Sequence, residues 1–202
     1  MPPLILASSS PSRRSLLARL GLAFTVMPPD IDESPLAHET PKALAMRLSM
    51  EKAQAVARGL EKGLVIGSDQ VATVDERLLG KPGGHAENLD QLRSASGKWM
   101  EFHTGIALID AQSNQMQVDA VPFGVKLRTL SEDDIASYVA HERAFDCAGG
   151  FKAERLGCTI FEETRGPDPT ALLGLPMIRL CAMLRNAGFD PLSVLSKSGQ
   201  EK

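Results

Sequence analysis

The sequence predicts an α/β protein built on a mixed sheet, and three observations carry that expectation. Short apolar runs alternate with helical patterns that open on capping residues, so strands and helices follow one another along the chain. Trp99–Ile109 and Met116–Leu130 read as two long strands separated only by a polar turn at Gln112-Ser113-Asn114. A connection that short joins antiparallel neighbours, so the sheet cannot be purely parallel. Finally, 202 residues of which 43% are hydrophobic suffice for one domain or two closely packed lobes.

Taken in order, Pro2–Ala7 is a short buried strand. Ser10 is an N-cap and Pro11 suits the first helical position; Leu16, Leu17 and Leu20 form the apolar face, and Gly21 ends the helix. Phe24–Met27 is a second short strand, broken by Pro28-Pro29, which delivers Asp30-Ile31-Asp32-Glu33 on a loop. Thr40-Pro41 starts a long helix to about Arg58, with Leu44, Leu48 and Ala55 on one stripe. Leu64–Ser68 is a buried strand. A helix follows from about Ala86 to Ser96, then the two long strands. Ser131 caps a helix to about His141 whose first turn holds Glu132, Asp133 and Asp134, as the helix dipole favours. Cys158–Glu162 is a late strand and Pro176–Asn186 the last helix. Residues 1–192 are expected to form the single domain, and 193–202 a polar tail.

Composition excludes several classes. A net charge of −3 leaves no basic face for a general nucleic-acid coat. No apolar run is long enough to span a membrane. Leu4–Ala7 has no basic residue before it and does not resemble a secretory signal. The three cysteines, Cys147, Cys158 and Cys181, show no paired spacing, which points to reduced thiols and a cytoplasmic location. The histidines have no metal-ligand spacing, and the N-terminal serines no GxSxG elbow.

Four constellations could carry chemistry. In Ala7-Ser8-Ser9-Ser10-Pro11-Ser12-Arg13-Arg14, two arginines occupy a first helical turn, where the dipole disfavours cations unless an anion offsets them. Serine hydroxyls, free N–H groups and guanidiniums there suit a phosphate; the other reading is a solvated or salt-bridged pair. Asp30–Glu33 is otherwise an acidic surface loop. Ser68-Asp69-Gln70 leaves a buried strand, where open sheets place ligands, or Asp69 caps a turn. Gly80-Lys81-Pro82 is no P-loop, yet a stiffened lysine can meet a phosphate. Glu51-Lys52 has the plain reading of a solvated helix face. Together these supply cations for a polyphosphate and carboxylates for a divalent metal, which phosphoryl transfer needs.

The chain also resembles the Maf family of nucleoside triphosphate pyrophosphatases. The matching segments are Leu4–Ser8 with Ser10-Pro11 and Arg13-Arg14, Asp32-Glu33, Glu51-Lys52-Ala53, Gly67-Ser68-Asp69 and Gly80-Lys81-Pro82. They continue with Ser96-Gly97, Thr104-Gly105, Ala148-Gly149 and Gly174-Leu175-Pro176, in family order over nearly the whole chain. The resemblance implies an elongated, twisted central sheet with helices about it, two lobes and a cleft between them. It implies that Ser8, Arg13, Lys52 and Lys81 hold the triphosphate. It implies too that Glu33 and Asp69 bind Mg²⁺ or Mn²⁺ and that Asp69 is the catalytic base.

Within the family, Ser68-Asp69-Gln70-Val71 and Cys147–Glu154 look like the 7-methyl-GTP pyrophosphatase branch. Specificity then falls to Ser12, Gln70 and Glu154; Ser12 departs from the aromatic often found in that branch. A carboxylate can accept from guanine N1–H and N2–H₂, and N7-methylation makes the base cationic, so Glu154 is the candidate reader. Phe151 or Trp99 would stack on that ring, unless both belong to the core. The implied reaction converts N7-methyl-GTP to N7-methyl-GMP and pyrophosphate, removing modified nucleotides. The partner is a small-molecule nucleotide, not nucleic acid or membrane, and a homodimer is compatible with the family. The rival readings are dTTP/UTP pyrophosphatase, and a nucleotide- or nucleic-acid-binding regulator of septum formation.

Overall fold

A computed structural model describes residues 2–198. β1 (Leu4–Ala7) is buried along its whole length because its alternate residues enter two different cores. Leu4 and Leu6 join one cluster with Leu16, Ile66 and Leu180, and Ile5 and Ala7 join another with Ala53 and Val65. β1 lies parallel to β2 (Thr25–Val26) on one side and to β3 (Leu64–Val74) on the other, with Ala7 opposite Gly67. Between them α1 (Pro11–Ala18) begins as expected, the Ser10 hydroxyl accepting from the Arg13 N–H. α2 (Pro41–Ala57) begins the same way, Thr40 accepting from Ala43 N–H at 3.2 Å.

β3 departs from expectation. It does not end at Ser68 but runs on to Val74, 11 residues in all, then turns through Asp75 and Glu76 into an antiparallel β4 (Arg77–Leu79). Asp69 therefore sits in mid-strand rather than at a strand end. The polar Asp69-Gln70 pair interrupts the apolar run, and the Asp75-Glu76 turn, with φ of 48° and 64°, uses neither Asn nor Gly.

The remainder comprises α3 (His85–Ala95), β5 (Trp99–Asp110), β6 (Met116–Leu127), α4 (Glu132–Glu142), β7 (Phe161–Arg165), α5 (Met177–Asn186) and α6 (Pro191–Ser198). β7 starts three residues later than the sequence suggests, because Leu156–Thr159 forms a 3₁₀ turn containing Cys158. The stretch taken as tail from 193 is helical through Ser198; residues 199–202 lie outside those described. The seven strands run β2-β1-β3-β5-β6-β7, with β4 on β3, and both parallel and antiparallel pairs occur, so the sheet is mixed.

The chain forms two compact units. The first takes the chain through Asp69, Thr104–Val121, and the chain from Asp168 onward; the second takes Gln70–His103 and Pro122–Pro167. In the second, Phe151 packs edge-on against Phe102 and Phe161 at ring separations of 5.6 and 4.9 Å.

Candidate active site

Two glycines bring α2 against the sheet of the first unit. A Cβ at Gly67 would lie 2.1 Å from the Ser49 carbonyl oxygen, and one at Gly105 would lie 2.0 Å from that of Ala45. Bare backbone at both positions lets the helix approach, and this brings Lys52 of α2 to Asp69 of β3. The Lys52 ammonium lies 2.6 Å from Asp69 Oδ1 and 2.7 Å from Glu33 Oε1. Lys52 is only 6% exposed, so the solvated-face reading of Glu51-Lys52 fails for the lysine. Glu51 instead pairs with Arg47 at 3.1 Å. Glu33 comes from the acidic loop and stays 53% exposed, yet it is tied to the buried pair. Burying a charge requires a partner, and here two carboxylates serve one ammonium.

Arg47 of α2 holds the chain beside Glu33. It bonds both oxygens of Glu39, at 2.8 and 2.9 Å, and donates to the Ser34 carbonyl at 3.0 Å. Sequence reading did not single out Arg47, since an arginine on a polar helix face gives no sign of its partners.

Arg13 and Arg14 diverge. Arg13 Nε donates to the Gly174 carbonyl at 2.7 Å. Burial pushes the Arg13 guanidinium below its ordinary pKa, while the charges of Asp69 and Glu33 push it back up. That Asp69 and Glu33 act on it places Arg13 in the same electrostatic neighbourhood as Lys52. The exposed Arg14 instead lines a cavity of about 320 Å³ with Ser8, Ser9, Ser10 and Ser15. The serines therefore come together with Arg14, while Arg13 turns to Gly174. The Ser8 hydroxyl accepts from Ser10 N–H at 3.1 Å, and half-buried Ser12 lies in the first turn of α1.

Lys81, Gln70 and Glu154 belong to the second unit. Lys81 is exposed and follows Gly80, whose carbonyl accepts from Gln91 at 2.9 Å. Glu154 is exposed on a turn. Gln70 follows Asp69 within β3, so the two side chains leave opposite faces of the strand. Neither aromatic is a ready stacking surface: Phe151 is buried among phenylalanines, and the Arg165 guanidinium lies over the Trp99 ring, 4.1 Å from its centroid. The Cys147 thiol is pushed up to about 12 by burial and then by Asp146, so it is no nucleophile at neutral pH.

Among the described residues, no group of three or more His, Cys, Asp or Glu could hold a metal by itself. The donor set nevertheless fits a hard cation of the magnesium type. Such an ion takes one or two carboxylates from protein and completes its shell with water and substrate phosphates; Asp69 and Glu33, brought together by Lys52, are the carboxylates that could supply these.

Comparison with known proteins agrees with the sequence motifs. The profile of the Maf-like protein family matches residues 3–187. The chain is 53% identical over 190 residues to a 7-methyl-GTP pyrophosphatase of Pseudomonas aeruginosa, covering 94% of this chain and 99% of that protein. It is 51% identical over 188 residues to the protein of that name in Pseudomonas putida, covering 93% and 98%. The solved Staphylococcus aureus Ham1 protein superimposes with a TM-score of 0.45 at 16% identity, over 77% of this chain and 89% of that one.

Proposed function

The chain belongs to the Maf-like protein family, and on that premise we propose that it hydrolyses N7-methyl-GTP to N7-methyl-GMP and pyrophosphate. The observation that carries the reading is the buried Lys52, joined to Asp69 and Glu33, with Arg13 in their field. The names of the Pseudomonas relatives support the choice of nucleotide.

Two cations and two carboxylates roughly cancel in the free protein. A triphosphate brings several negative charges, and Lys52 and Arg13 offset them at short range, where partial burial makes each contact count for more. Arg13 offers a planar fork to phosphate oxygens and Lys52 a compact ammonium. Asp69 orients the attacking water toward the α-phosphorus and accepts its proton. Bond cleavage between the α- and β-phosphates releases pyrophosphate. Asp69 and Glu33 would hold Mg²⁺ or Mn²⁺, which lowers the pKa of water and offsets charge on the phosphates. Ser8 and Lys81 complete the triphosphate contacts, and Ser12, Gln70 and Glu154 set the base preference; these assignments follow the family resemblance. Free thiols at all three cysteines fit a reducing compartment, and the family resemblance implies a role in clearing modified nucleotides.

The test is pyrophosphate release by purified protein on N7-methyl-GTP, GTP, dTTP and UTP. The expected result is the highest kcat/KM on N7-methyl-GTP. A maximum on dTTP or UTP assigns the pyrimidine reaction instead. No release from any of them leaves a nucleotide-binding protein.

A further inference from the structure

Buried polar groups outside the reaction centre cluster behind Arg13. Asp168 is 2% exposed, and backbone N–H groups and a hydroxyl donate to its carboxylate. Its Oδ1 accepts from the Thr170 N–H at 3.0 Å and the Thr170 hydroxyl at 2.6 Å, and its Oδ2 from the Ile178 N–H at 2.8 Å. Thr170 Oγ1 in turn accepts from the Met177 N–H at 2.8 Å. Asp168 thus clamps the 3₁₀ turn Pro169–Leu173 to the start of α5. The turn ends at Gly174 in the left-handed region, φ 93°. This conformation presents the Gly174 carbonyl to Arg13 Nε at 2.7 Å and to the fully buried Ser68 hydroxyl, whose single proton is shared between the Gly105 carbonyl oxygen at 2.7 Å and that of Gly174 at 2.9 Å. Thr104 adds a bond from β5 to the Ala171 carbonyl at 2.9 Å.

An arginine held by Nε keeps its two terminal nitrogens for a ligand, and holding it in advance removes rotamer entropy from binding. We propose that Asp168 is a positioning residue: through the Pro169–Gly174 turn it fixes the Arg13 guanidinium for the phosphates of the nucleotide. The inference rests on the reading that Arg13 contacts phosphate. Asp168 is buried and acts through the turn it holds.

The experiment is a double-mutant cycle on pyrophosphate affinity by calorimetry, with thermal melts of every variant. Arg13→Ala weakens pyrophosphate binding about ten- to a hundredfold, the loss of a charge-assisted contact. Asp168→Asn replaces an acceptor with a donor facing N–H groups and weakens binding about three- to tenfold. In the Arg13→Ala background the same change adds less than about twofold, because the group it positions is gone. Turnover of N7-methyl-GTP gives a second readout. Lost positioning raises KM with kcat nearly unchanged, whereas a merely structural defect lowers the active fraction, and so kcat, at constant KM. Should Asp168→Asn show no melting transition, Thr170→Val removes the hydroxyl at similar volume and carries the same expectation. Multiplicative effects, or unchanged affinity in the Asp168 or Thr170 variant, overturn the positioning role while leaving Arg13 as a phosphate ligand. Unchanged affinity in Arg13→Ala overturns the phosphate reading, and the positioning role with it.

Discussion

Asp69 and Lys52 each depend on the other, and this sets what substitution does. Asp69→Asn keeps the shape but leaves the buried ammonium with Glu33 alone as anionic partner. Turnover should fall about 10²–10⁴-fold from loss of the base. The melting temperature should also drop, since a partner is removed from a buried charge. Steady-state kinetics with a melt on the same sample checks both, and normal turnover would remove Asp69 from the reaction. At Glu154 the expectation is selectivity. Glu154→Gln should lower the kcat/KM ratio of N7-methyl-GTP over UTP by about one to two decades, because a donor then faces guanine donors. An equal fall on both nucleotides would show that Glu154 does not read the base. Asp69 is legible in the sequence because it interrupts an apolar run, and Glu154 because the family resemblance points to its segment. The Gly174 carbonyl is not, because it is a backbone acceptor and its partner Arg13 lies 161 positions away. Only folding shows that Arg13 and Arg14 turn to different neighbours.

Individual elements follow the same rule. α1, α2 and α4 begin where Ser10, Thr40 and Ser131 place them, since a cap is read within four residues. The extension of β3, the short β4, the late start of β7 and the helix α6 were missed, because partners distant in sequence or unremarkable turn residues decide them. α4 carries a full capping box between Ser131 and Asp134. Ser131→Ala should cost about 1 kcal/mol in a urea melt. Arg128 first, then Ser131, holds the Asp134 carboxyl well below its ordinary pKa. Its contribution is therefore present above the unfolded value of ~3.9 and is lost as pH falls below it toward the folded value. Arg128→Ala should lower the melting temperature at neutral pH and change it little well below that unfolded value, so that the acid limb flattens. For α2 the sensitive position is Gly67. Gly67→Ala forces a methyl group toward the Ser49 carbonyl and should destabilise by about 1–3 kcal/mol. Activity should fall further than stability explains, because the helix that shifts carries Lys52. Normal specific activity in a destabilised Gly67→Ala protein would separate helix position from catalysis.

For the whole molecule, charge and cofactor make the remaining prediction. Protein stripped with EDTA should release pyrophosphate at background rate, and Mg²⁺ or Mn²⁺ should restore it. A full rate in the stripped protein would leave Asp69 and Glu33 as partners of Lys52 alone. The chain order of the first unit has a further consequence. That unit is drawn from separated stretches, the last beginning at Asp168. A ribosome makes Arg13 early and Gly174 late, and 161 residues at about 5–20 residues per second amount to roughly ten to thirty seconds. During that interval the nascent chain carries Arg13 without its acceptor. On the proposed role of Arg13, phosphate binding is acquired near the end of translation, and a ribosome-stalled chain lacking the residues from Asp168 onward should bind pyrophosphate no better than the Asp168→Asn protein.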